Sequence, residues 1–150
     1  MANEQQQPTN FLGRGWSFPP TFRQEIPGVE MLEKEADVAS SLEILLSTTL
    51  GERIMLPDYG CNLEELLFES LDTTTKTIIA DKIESALLYH EPRIDVLKIK
   101  LDSSRELEGI ILIEVEYRIR STNTRYNLVY PFYKQEGTDV NLIATLTALT

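Results

Sequence analysis

Two hydrophobic periods divide the chain, and they meet at Pro92. Before it, apolar residues recur at steps of three and four, the spacing that stacks side chains on one face of a helix. Val38, Leu42, Leu45, Leu46 and Thr49 follow that rule over residues 37–50. Asp37 has the short acceptor side chain of an N-cap, and Gly51 has the backbone freedom of a stop. MLPDYG, residues 55–60, then reads as a turn. A second helix is expected to open at Asn62, with Glu65 at capping-box spacing and Leu63, Leu66 and Leu67 on its buried side. A third starts behind Asp72 and carries Ile78, Ile79, Ile83, Ala86, Leu87 and His90. Pro92 ends it, because a proline ring pushes the preceding residue out of the α region.

Beyond Pro92 the period drops to two. Leu97, Ile99 and Leu101 alternate with Lys98 and Lys100. Ile111, Ile113, Val115, Tyr117 and Ile119 alternate with Glu114, Glu116, Arg118 and Arg120. Tyr126, Leu128, Tyr130 and Phe132 make a third run, and the polar segments 102–108 and 121–125 suit hairpin loops. The expected fold class is α+β in two layers. An antiparallel β-meander is packed on one face by about three helices and leaves a polar face outside.

The two ends break both periods. Gly13, Gly15, Pro19, Pro20, Pro27 and Gly28 interrupt any helix or central strand over residues 1–34. Yet that segment holds Leu12 and the aromatic Phe11, Trp16, Phe18 and Phe22, and a disordered tail is poor in aromatics. It reads as an extended arm lying on a surface, its own domain's or a neighbour's. At the other end, Val140, Leu142, Ala144, Leu146 and Ala148 alternate over residues 137–150. That favours a strand in need of an edge, either as the home sheet's fourth strand or by β-addition to another chain. The expected organisation is an arm over 1–34, a body over 35–136 and a strand-like tail over 137–150.

Composition narrows the function classes. A chain of 150 residues suits one domain that folds with no disulfide or metal. A net charge of −10 with scattered Lys and Arg argues against a nucleic-acid ligand. No apolar run approaches the length of about 20 residues that a membrane span requires. The start, MANEQQQPTN, lacks the basic-then-apolar layout of a secretory signal. One cysteine, Cys61, and one histidine, His90, leave no intrachain disulfide and no conventional zinc set. No cofactor or metal is expected. HExxH, GxSxG and phosphate-cradling loops are missing from the sequence. Glycosidase chemistry needs two carboxyl groups flanking one bond. Glu64 and Glu65 diverge on a helix, and Glu114 and Glu116 share a strand face with Arg118 and Arg120, the usual look of a solvent face. No catalytic residue is assigned, and the chain reads as a non-enzyme.

Four stretches carry a family resemblance: FLGRGWSFPP (11–20), SLEILLSTTLGERIMLPDYGCNLEELLFE (41–69), IESALLYHEPRID (83–95) and the meander that follows. In order and spacing the chain resembles the GPW/TssE-type baseplate wedge family. That family serves contractile phage tails, type VI secretion systems and extracellular injection particles. The resemblance implies a structural wedge subunit, six copies of which surround the tail axis. Its implied partners are larger baseplate wedge proteins, met through Glu91, Pro92 and Arg93, the first ring of sheath subunits, and hub or inner tube proteins. Neither nucleic acid nor membrane is among them. Assembly in the cytoplasm followed by residence in the tail or particle is the implied location.

The triplet also has a physical reading of its own. Pro92 locks the break between helix and strand, which lowers the entropy lost on docking. Arg93 offers five planar donors, and Glu91 accepts from backbone N–H groups. On chemistry alone an ion pair within the domain is the simpler reading; the resemblance turns the balance toward partner binding. Trp16 and Phe18 are candidate aromatic anchors for a partner, with Trp16 equally able to fold over its own sheet. Val140, Leu142 and Leu146 are candidate sheath-facing positions, inferred from the tail's pattern and not from the resemblance.

Overall fold

The computed structural model describes residues 11–25, 27–64, 66 and 70–134. In chain order they form β1 (Arg14–Trp16), β2 (Met31–Glu33), α1 (Lys34–Ser47), α2 (Thr73–His90), β3 (Ile94–Asp102), a 3-10 turn (Glu106–Glu108), β4 (Ile110–Ile119) and β5 (Thr124–Tyr133). The period-two half of the sequence becomes a three-stranded antiparallel sheet in the order β3-β4-β5. Strand β4 is its centre, and Ile111, Ile113, Val115, Tyr117 and Ile119 are all buried on one face. Val38, Leu42 and Leu45 of α1 and Ile79, Ile83 and Leu87 of α2 complete the same core. Full burial of each such side chain contributes about 1.5–3 kcal/mol, so this row and its helical cover carry the fold. The α+β two-layer class is the one observed.

Several local expectations shift, each for a physical reason. Helix α1 starts at Lys34 behind Glu33, with no side-chain cap, so Asp37 lies inside the first turn and does not cap it. Lys34 itself sits at φ 58, a left-handed corner that turns β2 sharply into the helix. The helix ends at Ser47, and Gly51, at φ +82, falls in the turn beyond. Leu97 is 43% exposed, not core, because a bulge between Val96 and Lys98 turns it out of the ladder. Ile94, which lies on the opposite parity from Leu97, Ile99 and Leu101, is buried because the same bulge shifts the register between the two halves of the strand. Ile78 is 49% exposed, because the buried stripe of α2 follows the step of four through Ile79, Ile83 and Leu87.

Other signals are met. The Thr75 backbone N–H donates to the Asp72 carboxylate at 2.7 Å, the expected cap of α2. Leu63 and Leu66 are buried, as expected of the second helix, while the helix itself, with its capping Glu65 and its Leu67, lies outside the described residues. The MLPDYG turn closes on itself: Cys61 N–H donates to the Thr48 carbonyl at 2.9 Å and Gly51 N–H to the Pro57 carbonyl at 2.8 Å. Gly60, at φ +127, lies so close to the Thr48 backbone that a Cβ there would collide with the carbonyl oxygen.

The arm is not a single extended run. Strands β1 and β2 pair antiparallel, Arg14 with Glu33 and Trp16 with Met31, and a further bridge joins Phe22 to Val29. Residues 14–33 therefore return on themselves as a hairpin. The 137–150 tail lies outside the described residues, and with it Val140, Leu142 and Leu146. Among the described residues no helix is long and apolar enough to cross a membrane.

Candidate functional site at the helix-to-strand corner

Helix α2 makes its last turn as the Glu91 N–H donates to the Leu87 carbonyl at 2.9 Å. Pro92 brings no N–H of its own, and β3 begins two residues later. In this short corner Glu91 points inward and is 3% exposed, while Pro92 stays at the surface. A carboxylate so buried requires dedicated partners. Arg93 supplies them as a two-point fork, Nε to Oε1 at 2.6 Å and Nη2 to Oε2 at 2.7 Å. The Ser41 hydroxyl, from α1, donates to Oε2 at 2.7 Å. Burial alone would push the Glu91 carboxyl up; the hydrogen bonds from Arg93 and Ser41 and the guanidinium charge outweigh it and hold it below the ordinary glutamate value. Hydrogen bonding to Glu91, and next to Asp37, raises Arg93 above the usual arginine range.

The remaining nitrogen of the fork reaches further. Arg93 Nη1 donates to Asp37 Oδ2 at 2.7 Å and to the Leu12 carbonyl at 2.7 Å. Leu12 is itself buried in the core. Gly15 lies against the Asp37 carboxylate so closely that any Cβ would strike Oδ1, and Gly13 stands at φ +88 beside Arg93. Of the glycines of FLGRGW, Gly15 thus has a packing reason and Gly13 a conformational one. One guanidinium ties together the arm, α1, the end of α2 and the start of β3. From the other side, Asp95 accepts from Arg118 at 2.9 Å and from Arg120 at 2.7 Å, and the Arg120 N–H donates to the Arg93 carbonyl at 3.0 Å. Hydrogen bonds from Arg118 and Arg120 hold the Asp95 carboxyl below the usual aspartate range.

Of the candidate residues, the triplet is brought together with the arm, but through Leu12 and not through Trp16. Both Glu91 oxygens are already occupied within the chain, so the internal ion pair is formed. What remains at the surface is Pro92 and part of the Arg93 side chain, 27% exposed. Trp16 is 62% exposed on β1 and does not fold over the three-stranded sheet; Phe18 is exposed as well. Sequence reasoning missed Leu12, Asp37 and Ser41 as partners of the triplet. A signal was present in Asp37 and Ser41, which lie one helical turn apart beside the apolar Val38 and Leu42.

Other reactive side chains have structural duties. His90 Nε2 lies 2.9 Å from the Asp58 carbonyl, and its ring meets Tyr59 and Tyr89 edge-on. These contacts fasten the MLPDYG turn to the end of α2. Burial pushes the Cys61 thiol up to about 11, the opposite of nucleophile activation. Glu114 and Glu116 stand opposite Lys100 and Lys98 in the sheet register. Among the described residues no three His, Cys, Asp or Glu side chains gather as a metal site.

A two-layer α+β body whose polar side chains at one corner bind the chain's own segments is the class of domain this fold defines. The family model for baseplate wedge protein gp25 matches residues 32–124, and the chain belongs to that family. The baseplate wedge protein gp25 of Enterobacteria phage T4 is 36% identical over 82 residues, 55% of this chain and 61% of that protein. The chain therefore spans less than two thirds of that relative. A crystal structure from Geobacter sulfurreducens, described as a candidate tail lysozyme, is 46% identical with a TM-score of 0.64, covering 69% of this chain and 94% of that one. A subunit in the sixfold-symmetrised cryo-EM baseplate of the anti-feeding prophage shares the fold at 24% identity, with a TM-score of 0.58 over 91% of this chain and 94% of its own.

Proposed function

We propose that the chain is a structural wedge subunit in the baseplate of a contractile, phage-tail-like injection machine. In this reading it links larger wedge proteins to the hub and tube region and offers a platform to the first sheath ring, six copies standing around the tail axis. The observation that carries it is the Arg93 bracket: family membership supplies the setting, and a corner cross-tied to several segments suits a part that transmits position. A pre-set surface loses little entropy on docking. Pro92 and the outer edge of Arg93 form one contact, and Trp16 and Phe18 on the hairpin form another, since exposed aromatics concentrate interface energy. The tail, with Val140, Leu142 and Leu146, pairs with a sheath arm in this scheme.

Co-purification tests it. Arg93→Ala, checked for fold by circular dichroism, is expected to fail to assemble with the larger wedge protein. Deleting residues 141–150 is expected to give baseplates that carry no sheath. Normal assembly and normal sheath growth in both variants overturn the scheme. A subunit absent from purified particles would instead mark an assembly factor that does not remain.

The description of the Geobacter relative motivates one further reading, cleavage of cell wall. Retaining or inverting hydrolysis requires two carboxyl groups at a set separation around one sugar bond. Clearing of cell-wall turbidity by the purified chain, abolished by a single Glu→Gln change, would establish it in place of the scaffold reading.

A further inference from the structure

We propose that Arg93 is a positioning residue: it clamps the β1 end of the hairpin to the body and so sets the pose of the arm's exposed aromatic side chains. For what the hairpin meets, this rests on the wedge reading; the clamping is a property of the isolated chain. The hairpin has two ends. Strand β2 runs directly into α1 at Lys34, so that end is held covalently. Strand β1 is held by a short ladder to β2, and a two-stranded hairpin is marginal alone in water. Its ion pairs, Arg14 with Glu33 and Arg23 with Glu30, are surface pairs of little weight. Among the described residues, the Leu12 side chain in the core and the Leu12 carbonyl on Arg93 Nη1 tie β1 to the body.

The need for arginine follows from geometry. Four of its five N–H groups are committed in one plane, two to Glu91, one to Asp37 and one to Leu12. An ammonium head is a single point and cannot reach both the buried Glu91 and the arm. Gly15 completes the seat by letting β1 lie against the Asp37 carboxylate. The triplet and the FLGRGW segment, far apart in sequence, are thus two halves of one device.

Trp16 is the chain's single tryptophan and reports on the hairpin directly. In the full chain, Arg93→Lys keeps a cation for Glu91 but loses the fork. Its far-ultraviolet circular dichroism is expected to match the parent, while Trp16 fluorescence anisotropy falls. Trypsin cleavage after Arg14 and Arg23 is expected to quicken about tenfold or more, as for the loss of a charge-assisted hydrogen bond in an opening equilibrium. Gly15→Ala, whose Cβ strikes the Asp37 carboxylate and touches neither Arg93 bond to Glu91, is expected to push β1 away and so defines the signal of a released arm. Should Arg93→Lys fail to fold, the pair E91Q with R93M removes both charges together, leaves no lone buried ion, and is expected to release the arm equally. An arm held as firmly as the parent's in these folded Arg93 variants, with Gly15→Ala released, overturns the proposal. Capture of the larger wedge protein is scored separately. A released arm with parental capture supports the clamp and removes the triplet from the wedge interface. A fixed arm with lost capture overturns the clamp and leaves the wedge reading standing.

Discussion

Glu91 and Arg93 face each other across Pro92, their side chains joined at two points, 2.6 Å and 2.7 Å, beneath a surface that exposes only 3% of the glutamate. Residues two apart rarely meet so squarely, and the proline turn makes it possible. Breaking one half of a buried pair leaves an uncompensated charge. Arg93→Ala is therefore expected to lower unfolding free energy by about 3 kcal/mol, at the lower end of the usual range because the guanidinium is partly solvated. Urea unfolding followed by circular dichroism measures this; a loss within the scatter of surface substitutions would show that the pair is not anchoring the corner.

The same pair sets a pH dependence. Glu91 has a folded value depressed below its ordinary 4.5, so the unfolded chain takes up that proton more readily than the folded one. Its stabilisation is complete above about pH 4.5 and drains away as pH falls through the folded value. Glu91→Gln is expected to start less stable at pH 7 and to fall less steeply in acid. Parallel urea midpoints from pH 7 to 3 for the two proteins would contradict the assignment.

Gly60 is expected to resist substitution. Its φ of +127 is closed to side chains, and the Thr48 carbonyl occupies the space of a Cβ. Gly60→Ala should cost about 2 kcal/mol or more and loosen the turn that His90 fastens. Thermal melting and hydrogen exchange at Cys61, whose N–H donates to Thr48, give the comparison.

On α2 two isoleucines five residues apart separate core from surface. Ile83 is fully enclosed and Ile78 is half open. Ile83→Ala is expected to destabilise by about 3 kcal/mol, and Ile78→Ala by about 0.5 kcal/mol or less. Equal losses in chemical unfolding would mean that the helix is rotated from the orientation described.

Much of this fold could be read in the sequence wherever one rule acted alone. The alternation from Ile111 to Ile119 needed only a sheet with one dry face, and all five residues are buried. Asp72 and Pro92 bound α2 through local stereochemistry, and both act as expected. Reading failed where a distant partner competes. Asp37 has the right chemistry for a cap, but its carboxylate is drawn to Arg93. Leu97 keeps the period, yet a bulge turns it outward, and one extra residue leaves no mark in the pattern. The hairpin strands β1 and β2 are three residues each, too short to display a period of two. In the candidate site the triplet itself stood out through its proline and its paired charges. Leu12, Asp37 and Ser41 did not, because only the folded chain brings them alongside.

The contact between Leu12 and Arg93 also orders events in time. It joins positions 81 apart in the chain. As the polypeptide leaves the ribosome, the arm emerges ahead of Arg93, with Trp16, Phe18 and Phe22 uncovered, while the residue that fastens it has yet to be synthesised. Domains take shape as units once their sequence is available, and unprotected apolar segments are the aggregation-prone part of that interval. The bracket is a closing step, and a nascent chain halted before Arg93 would display the arm without its clasp.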